Sequence, residues 1–256
     1  MSKNFELMQQ AGKDQEFRPS RKLESTPPLV FGNGAGNGHF ATDAMDLDQQ
    51  AGEEVLRLVQ RVFLLQAQEP PHIVVFAGID HGSGCSRICL SAAETLAKNI
   101  RGSVCVVEAN LRSPGLPTML GTTNHHGLTD SLLQEGPVRS FANLVRGDNL
   151  WLLSSGALAT DSPNLLNSQR LKARFAELSE EFDFVLIDAP PLTRYSDAIA
   201  IGQLADGLVL VLEANSTRRE SALEATNTLR SAQIPVLGAV LNKRTFPIPE
   251  SLYHRF

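Results

Sequence analysis

Three segments of this chain combine residue types able to act on phosphates, divalent cations or sugar hydroxyls. The first is Gly78-Ile79-Asp80-His81-Gly82-Ser83-Gly84-Cys85-Ser86-Arg87, set between an apolar run and a helix-like stretch. Glycines at such a junction let backbone N–H groups close around an anion, and a helix starting there adds its partial positive charge. The second is Val106-Val107-Glu108-Ala109-Asn110-Leu111-Arg112-Ser113-Pro114, which carries a carboxylate just past another apolar run. The third, Phe184-Val185-Leu186-Ile187-Asp188-Ala189-Pro190-Pro191, ends an apolar run in an aspartate. A carboxylate there is placed to orient Mg²⁺ or its water shell. The two prolines fix the turn behind it and remove two backbone donors.

The elements that must position these segments are legible from periodicity. Ile73–Ala77, rich in β-branched residues, and Val104–Val107, Leu150–Leu153, Phe184–Ile187, Gly207–Leu212 and Val236–Leu241 are short and apolar on both faces. Ser86–Ile100, Asn164–Glu181, a stretch ending at Ile199–Leu204, and Arg218–Ala232 read as helices between them. This alternation predicts an α/β domain over about residues 70–245, a doubly wound, mostly parallel sheet with helices on both faces. Ligands of such sheets bind at the carboxyl ends of the strands, where all three segments fall. Upstream, Val55, Leu58, Val59, Val62 and Phe63 share one face of a helix within 51–68 that Glu69-Pro70-Pro71 stops. Residues 1–50, with Pro27-Pro28 and the run Gly32-Asn33-Gly34-Ala35-Gly36-Asn37-Gly38, predict a flexible tail, and residues 246–256 a C-terminal one.

The glycine loop by itself admits several readings. Gly78-x-x-x-Gly82-x-Gly84 has the spacing of a short-chain dehydrogenase dinucleotide loop, with Glu108 then holding ribose hydroxyls. Gly82-Ser83-Gly84-Cys85-Ser86 has the frame of a P-loop, with Glu108 then near a metal and the attacking group. A tight turn with no ligand, and Glu108 as a mere strand-end cap beside Arg112, is the bland alternative. The Asp188 element separates them. It is a Walker B arrangement, for which a dehydrogenase has no use. The Tyr-x-x-x-Lys of such an oxidoreductase is also missing, because Tyr195 is followed four positions later by Ile199. An NAD(P)-dependent oxidoreductase is thereby the remote alternative.

Taken together, the segments resemble the cytosolic domain of the bacterial tyrosine kinases that regulate exopolysaccharide and capsule synthesis. That family shares its P-loop class with the chromosome-partitioning and division-site ATPases. The likeness runs from Glu53 to about Lys243. It includes Gly127-Leu128-Thr129-Asp130-Ser131-Leu132-Leu133, Leu152-Leu153-Ser154-Ser155-Gly156, Pro163-Asn164-Leu165-Leu166-Asn167-Ser168, Asp188-Ala189-Pro190-Pro191 and Val240-Leu241-Asn242. The resemblance implies ATP or ADP with Mg²⁺ as cofactor. It implies Gly82, Ser83, Gly84, Cys85 and Ser86 as the phosphate cradle with Arg87 beside it, and Ser86 and Asp188 around the metal. It further implies Glu108 and Asp188 as the catalytic acids and Asn242 beside the adenine ring. It implies a homo-oligomer built through the helix at 51–68, where Glu54, Arg57 and Arg61 stand near the family's Glu-x-x-Arg-x-x-Arg. The implied partner is a membrane polysaccharide chain-length or co-polymerase protein, through which a cytoplasmic chain would sit at the inner membrane.

The same comparison exposes departures. The family loop reads Pro-Gly-Glu-Gly-Lys-Ser/Thr, whereas this chain has His81-Gly82-Ser83-Gly84-Cys85-Ser86, so a thiol replaces the phosphate-clamping lysine. The family's Asp-x-Asp-x-Arg is Glu108-Ala109-Asn110-Leu111-Arg112, with one acid lengthened and one turned into an amide. A charge-assisted hydrogen bond contributes roughly 1.5–3 kcal/mol, so losing the lysine weakens nucleotide binding by about 10- to 100-fold. Catalysis suffers more, because that cation also meets charge developing in the transition state. The expectation is a degenerate, pseudokinase-like protein with weak or no ATP turnover. The rival is a working tyrosine autokinase or ATPase whose missing cation comes from Arg87 or a partner subunit. In place of the family's C-terminal tyrosine cluster there is Tyr253 alone.

Composition agrees with this class and excludes others. The chain has 256 residues, with 23 Lys+Arg against 28 Asp+Glu and a formal charge of −5, so nucleic acid is not an expected partner. No apolar run reaches the ~18 residues of a membrane span, and the first residues lack a signal-peptide core. Three cysteines, Cys85, Cys89 and Cys105, suit a reducing compartment. Cys89 and Cys105 read as small core residues. His81, Cys85 and Cys89 lack a fourth ligand for zinc.

Overall fold

The computed structural model describes residues 29–30, 51–65, 69–156 and 169–244. The Pro163–Ser168 segment, the glycine-rich run at 32–38 and Tyr253 lie outside these.

Among the described residues, eight strands form one sheet in the order β1-β8-β7-β2-β6-β3-β5-β4. They are β1 (Leu29–Val30), β2 (Ile73–Gly78), β3 (Val104–Glu108), β4 (Asn143–Arg146), β5 (Leu150–Leu153), β6 (Phe184–Ala189), β7 (Gly207–Glu213) and β8 (Val236–Asn242). Every neighbouring pair is parallel except β4–β5. Within the stretch read as a tail, two residues are described. Leu29 and Val30 pair with Val240 and Leu241, giving the outer edge of β8 partners for its backbone groups.

Because successive side chains on a strand face opposite ways, each apolar run feeds two cores. Val74, Phe76, Val104, Val106, Leu186 and Val209 pack with α1 (51–59, continued as a π-helix over Gln60–Leu64) and α2 (Cys85–Asn99). Ile73, Val75, Cys105, Val107, Val185, Ile187 and Leu208 pack on the other face. There they meet α4 (Leu128–Leu133), α5 (Gln169–Glu181), α6 (Asp197–Gly202) and α7 (Arg219–Ser231). The five apolar residues read on one face of α1 are all buried. A short α3 (Leu116–Leu120) follows β3.

Two of the shared segments prove to be one joint. Leu128 N and Thr129 N donate to Ser154 O (2.7 Å) and Ser155 O (3.0 Å), and Ser154 Oγ donates to His126 O (2.7 Å). A Cβ at Gly127 would stand 2.1 Å from Ser154 O, so only glycine admits this approach. The joint fixes α4 against the end of β5. Arg174 of α5 then closes the far end of α4. Its Nε donates to Ser131 O (2.7 Å), Nη1 to Gly136 O (2.8 Å) and Nη2 to Gln134 O (2.9 Å), beside an ion pair with Glu177 at 2.6 Å. Arg174→Ala leaves the buried Ser131 carbonyl without its donor, while the Gln134 and Gly136 carbonyls belong to exposed residues that water can reach, and is expected to cost about 2 kcal/mol in urea unfolding. A loss under about 0.5 kcal/mol would show that water satisfies the Ser131 carbonyl as well.

Candidate phosphate and metal site

β2 sits centrally, flanked by β6 and β7, and the loops leaving β2 and β6 run to opposite sides of the sheet. α2 packs on one face on its way to β3, and α6 on the other on its way to β7. In sheets of this kind such divergence marks the strand ends at which ligands bind. Gly84 caps α2 in the left-handed region (φ 83°), and the helix's first turn carries no acidic residue of its own, so no side chain of α2 offsets its positive end. A Cβ at Gly84 would lie 2.3 Å from Asn242 Nδ2 and would displace that amide.

Glu108 and Asp188 are cross-strand partners at the ends of β3 and β6, and period two places both on the α2 face, in line with Val106 and Leu186. Both are buried, at 0% and 1% exposure. Burial is the largest cause that raises the Asp188 carboxyl, to about 7. The nearby Glu108 carboxylate adds to the rise, while the adjoining Ser86 hydroxyl and Cys85 thiol partly offset it. Neither Asp188 oxygen accepts a hydrogen bond of ordinary geometry. Burial also raises Glu108, against the pull of backbone donors at Leu116, Gly115 and Ser155. Its Oε1 accepts from Gly115 N and, at 2.9 Å, from Leu116 N, so this acid caps the start of α3, while Oε2 accepts no hydrogen bond of ordinary geometry. Arg112 does not serve it. That guanidinium stacks 4.3 Å above Tyr195 and pairs with Asp197 at 3.4 Å.

Cys85 occupies the first position of α2. Burial, Asp188 and Cys89 hold its thiol well above the ordinary range, so it is neutral at pH 7 and adds no positive charge to the loop. Arg87 is exposed on α2. His81 is exposed, while Cys89 and Cys105 are buried, and burial pushes Cys105 up to about 12. Asn242 is buried under the loop with Nδ2 donating to Ser83 O at 2.8 Å, so its amide N–H is turned to the loop. Sequence reasoning missed the neighbouring Lys243, whose Nζ donates to Gly82 O at 2.6 Å and pairs with Glu213 at 3.1 Å. Only its place beside Asn242 in the sequence hinted at it. On α1, Arg57 pairs with Glu54 at 2.7 Å and reaches Glu53 at 3.7 Å.

A glycine loop opening a helix, an acid on the adjacent strand end and this sheet order define a P-loop ATPase fold of the division-site and chromosome-partitioning type. The structure superposes on that of the chimerical protein CapA2B2 with a TM-score of 0.74, covering 86% of this chain and 95% of that one at 18% identity. The chain is 30% identical over 161 residues to tyrosine-protein kinase YwqD of Bacillus subtilis (strain 168), covering 63% of this chain and 68% of that protein. It belongs to the bacterial polysaccharide-biosynthesis tyrosine-kinase family. Tyrosine-protein kinase wzc of Salmonella typhimurium is 27% identical over 197 residues, which cover 73% of this chain but 26% of that longer protein. No family model matches the chain.

Proposed function

We propose that this chain is an attenuated member of its family, holding Mg²⁺-nucleotide weakly and turning it over slowly or not at all. Its work would be regulatory, in exopolysaccharide or capsule synthesis, through a membrane chain-length partner and as a homo-oligomer. The observation that carries this reading is the neutral Cys85 thiol beside Asp188, where the family places a lysine.

The remaining parts suit the metal better than the phosphates. Asp188 offers two buried, unpartnered oxygens next to the Ser86 hydroxyl, an oxygen set of the kind a hard cation takes when it keeps some of its waters. Such a metal would neutralise charge on a bound polyphosphate. Gly82 to Ser86 supply backbone donors and the α2 terminus, without a side-chain cation among them. Glu108 is committed through Oε1 to α3, which favours a supporting over a proton-transferring role. Arg87 is exposed on α2, two positions past Cys85. No helix among the described residues is long and apolar enough to cross a membrane.

The test is ATP turnover with Mg²⁺ and phosphotyrosine detection on the full chain, alone and with Cys85→Lys. The native chain is expected to release phosphate at least about 100-fold more slowly than the variant, following the rate loss when an electrostatic transition-state contact is removed. Equal turnover, or phosphorylated Tyr253 in the native chain, would establish the active autokinase instead.

A further inference from the structure

Two consecutive residues at the end of β8 grip two consecutive carbonyls of the phosphate loop. Asn242 Nδ2 donates to Ser83 O at 2.8 Å, and Lys243 Nζ donates to Gly82 O at 2.6 Å. Both ties span about 160 residues of sequence, so neither is a by-product of local turn geometry. Lys243 takes a left-handed backbone conformation (φ 57°), sparsely populated for a residue with a side chain. Glu213, the last residue of β7, holds the same ammonium at 3.1 Å. The grip thus involves two strands and the loop.

Its consequence follows from the planar trans peptide, in which the C=O of one residue and the N–H of the next point in opposite directions. Fixing the Gly82 carbonyl toward Lys243 turns the Ser83 N–H away from β8. Fixing the Ser83 carbonyl toward Asn242 does the same for the Gly84 N–H. These donors belong to the loop that must hold an anion here without a lysine at position 85. Preset dipoles need no rearrangement on binding, so holding them lowers the cost of binding.

We propose that Lys243, together with Asn242, is a positioning residue of the nucleotide site, a clasp that aims the loop's amide donors at polyphosphate. The proposal rests on reading the loop as a phosphate cradle, and the experiment separates the two. Amide exchange at Ser83 and Gly84 is followed by NMR in the ligand-free chain for native protein, Lys243→Met, Lys243→Arg and Asn242→Ala. Affinities for Mg-ATP and inorganic triphosphate are measured by calorimetry for the same changes in a Cys85→Lys background. Loss of the clasp is expected to speed exchange of both amides and to weaken ATP and triphosphate alike by about tenfold, with Lys243→Arg restoring both. Unchanged exchange in Lys243→Met and Asn242→Ala overturns the clasp. So does a loss confined to ATP, which would make Lys243 a contact of the base. If nucleotide and triphosphate fail to bind in every background while exchange responds as expected, the clasp stands as a loop-holding device and the phosphate-cradle reading falls.

Discussion

Cys85→Lys is expected to tighten Mg-ATP binding by about 10- to 100-fold relative to the native chain, from one side chain. The estimate follows from a charge-assisted hydrogen bond to phosphate, roughly 1.5–3 kcal/mol, at a position that now holds a neutral thiol. Position 85 opens α2 next to Gly84, so an ammonium there would add to the helix's own positive end. It would also stand beside Asp188, whose carboxyl is raised chiefly by burial, with no compensating cation among the causes given above. A new opposite charge lowers that carboxyl and returns Asp188 to the ionised form a metal needs. Part of the gain is offset in the free protein, where the lysine can pair with Asp188 before nucleotide arrives. Calorimetric titration of both proteins with ATP and ADP in Mg²⁺ decides the matter. Micromolar binding by the native chain, unchanged in the variant, would remove the main support for the attenuated reading.

The strands were legible because parallel strands buried on both faces must be apolar throughout, and Val104–Glu108 or Gly207–Glu213 have no other means of burial. β4 escaped notice for the converse reason. Asn143-Leu144-Val145-Arg146 is an exposed antiparallel edge, so its composition carries no strand signature. The phosphate loop was legible as a local word, and Asp188 as the end of a local apolar run. What surrounds them was not. The Lys243–Gly82 tie, the Asn242–Ser83 tie and the pairing of Glu108 with Asp188 are products of strand order, which brings residues 80 to 161 positions apart into contact. The commitment of Glu108 to α3 is local, seven and eight residues on, but needs a backbone turn that composition does not encode.

The paired buried carboxylates give the second large expectation, a loss of stability as pH rises toward and through neutrality in metal-free protein. Asp188 has an ordinary value of 3.8 and stands at about 7 in the fold. Between those values the folded chain binds a proton that the unfolded chain has released. Unfolding free energy therefore falls as pH rises. The stabilisation is complete below the unfolded value and is lost as pH passes through about 7. A carboxyl displaced this far corresponds to about 4 kcal/mol, and a raised Glu108 works in the same direction. Asp183 runs the other way. Its carboxyl is lowered by the Ser103 N–H and hydroxyl, so its contribution is lost only on the acid side of the ordinary range. Asp188→Asn keeps the shape and removes the charge. In urea unfolding with EDTA it is expected to exceed the native chain by about 4 kcal/mol at pH 8 and by about 1–2 kcal/mol at pH 5, where the unfolded chain has already released the proton that folded Asp188 keeps. Equal stability of the two proteins at pH 8, or a native stability that does not fall between pH 5 and 8, would mean that water enters the site and that Asp188 ionises freely.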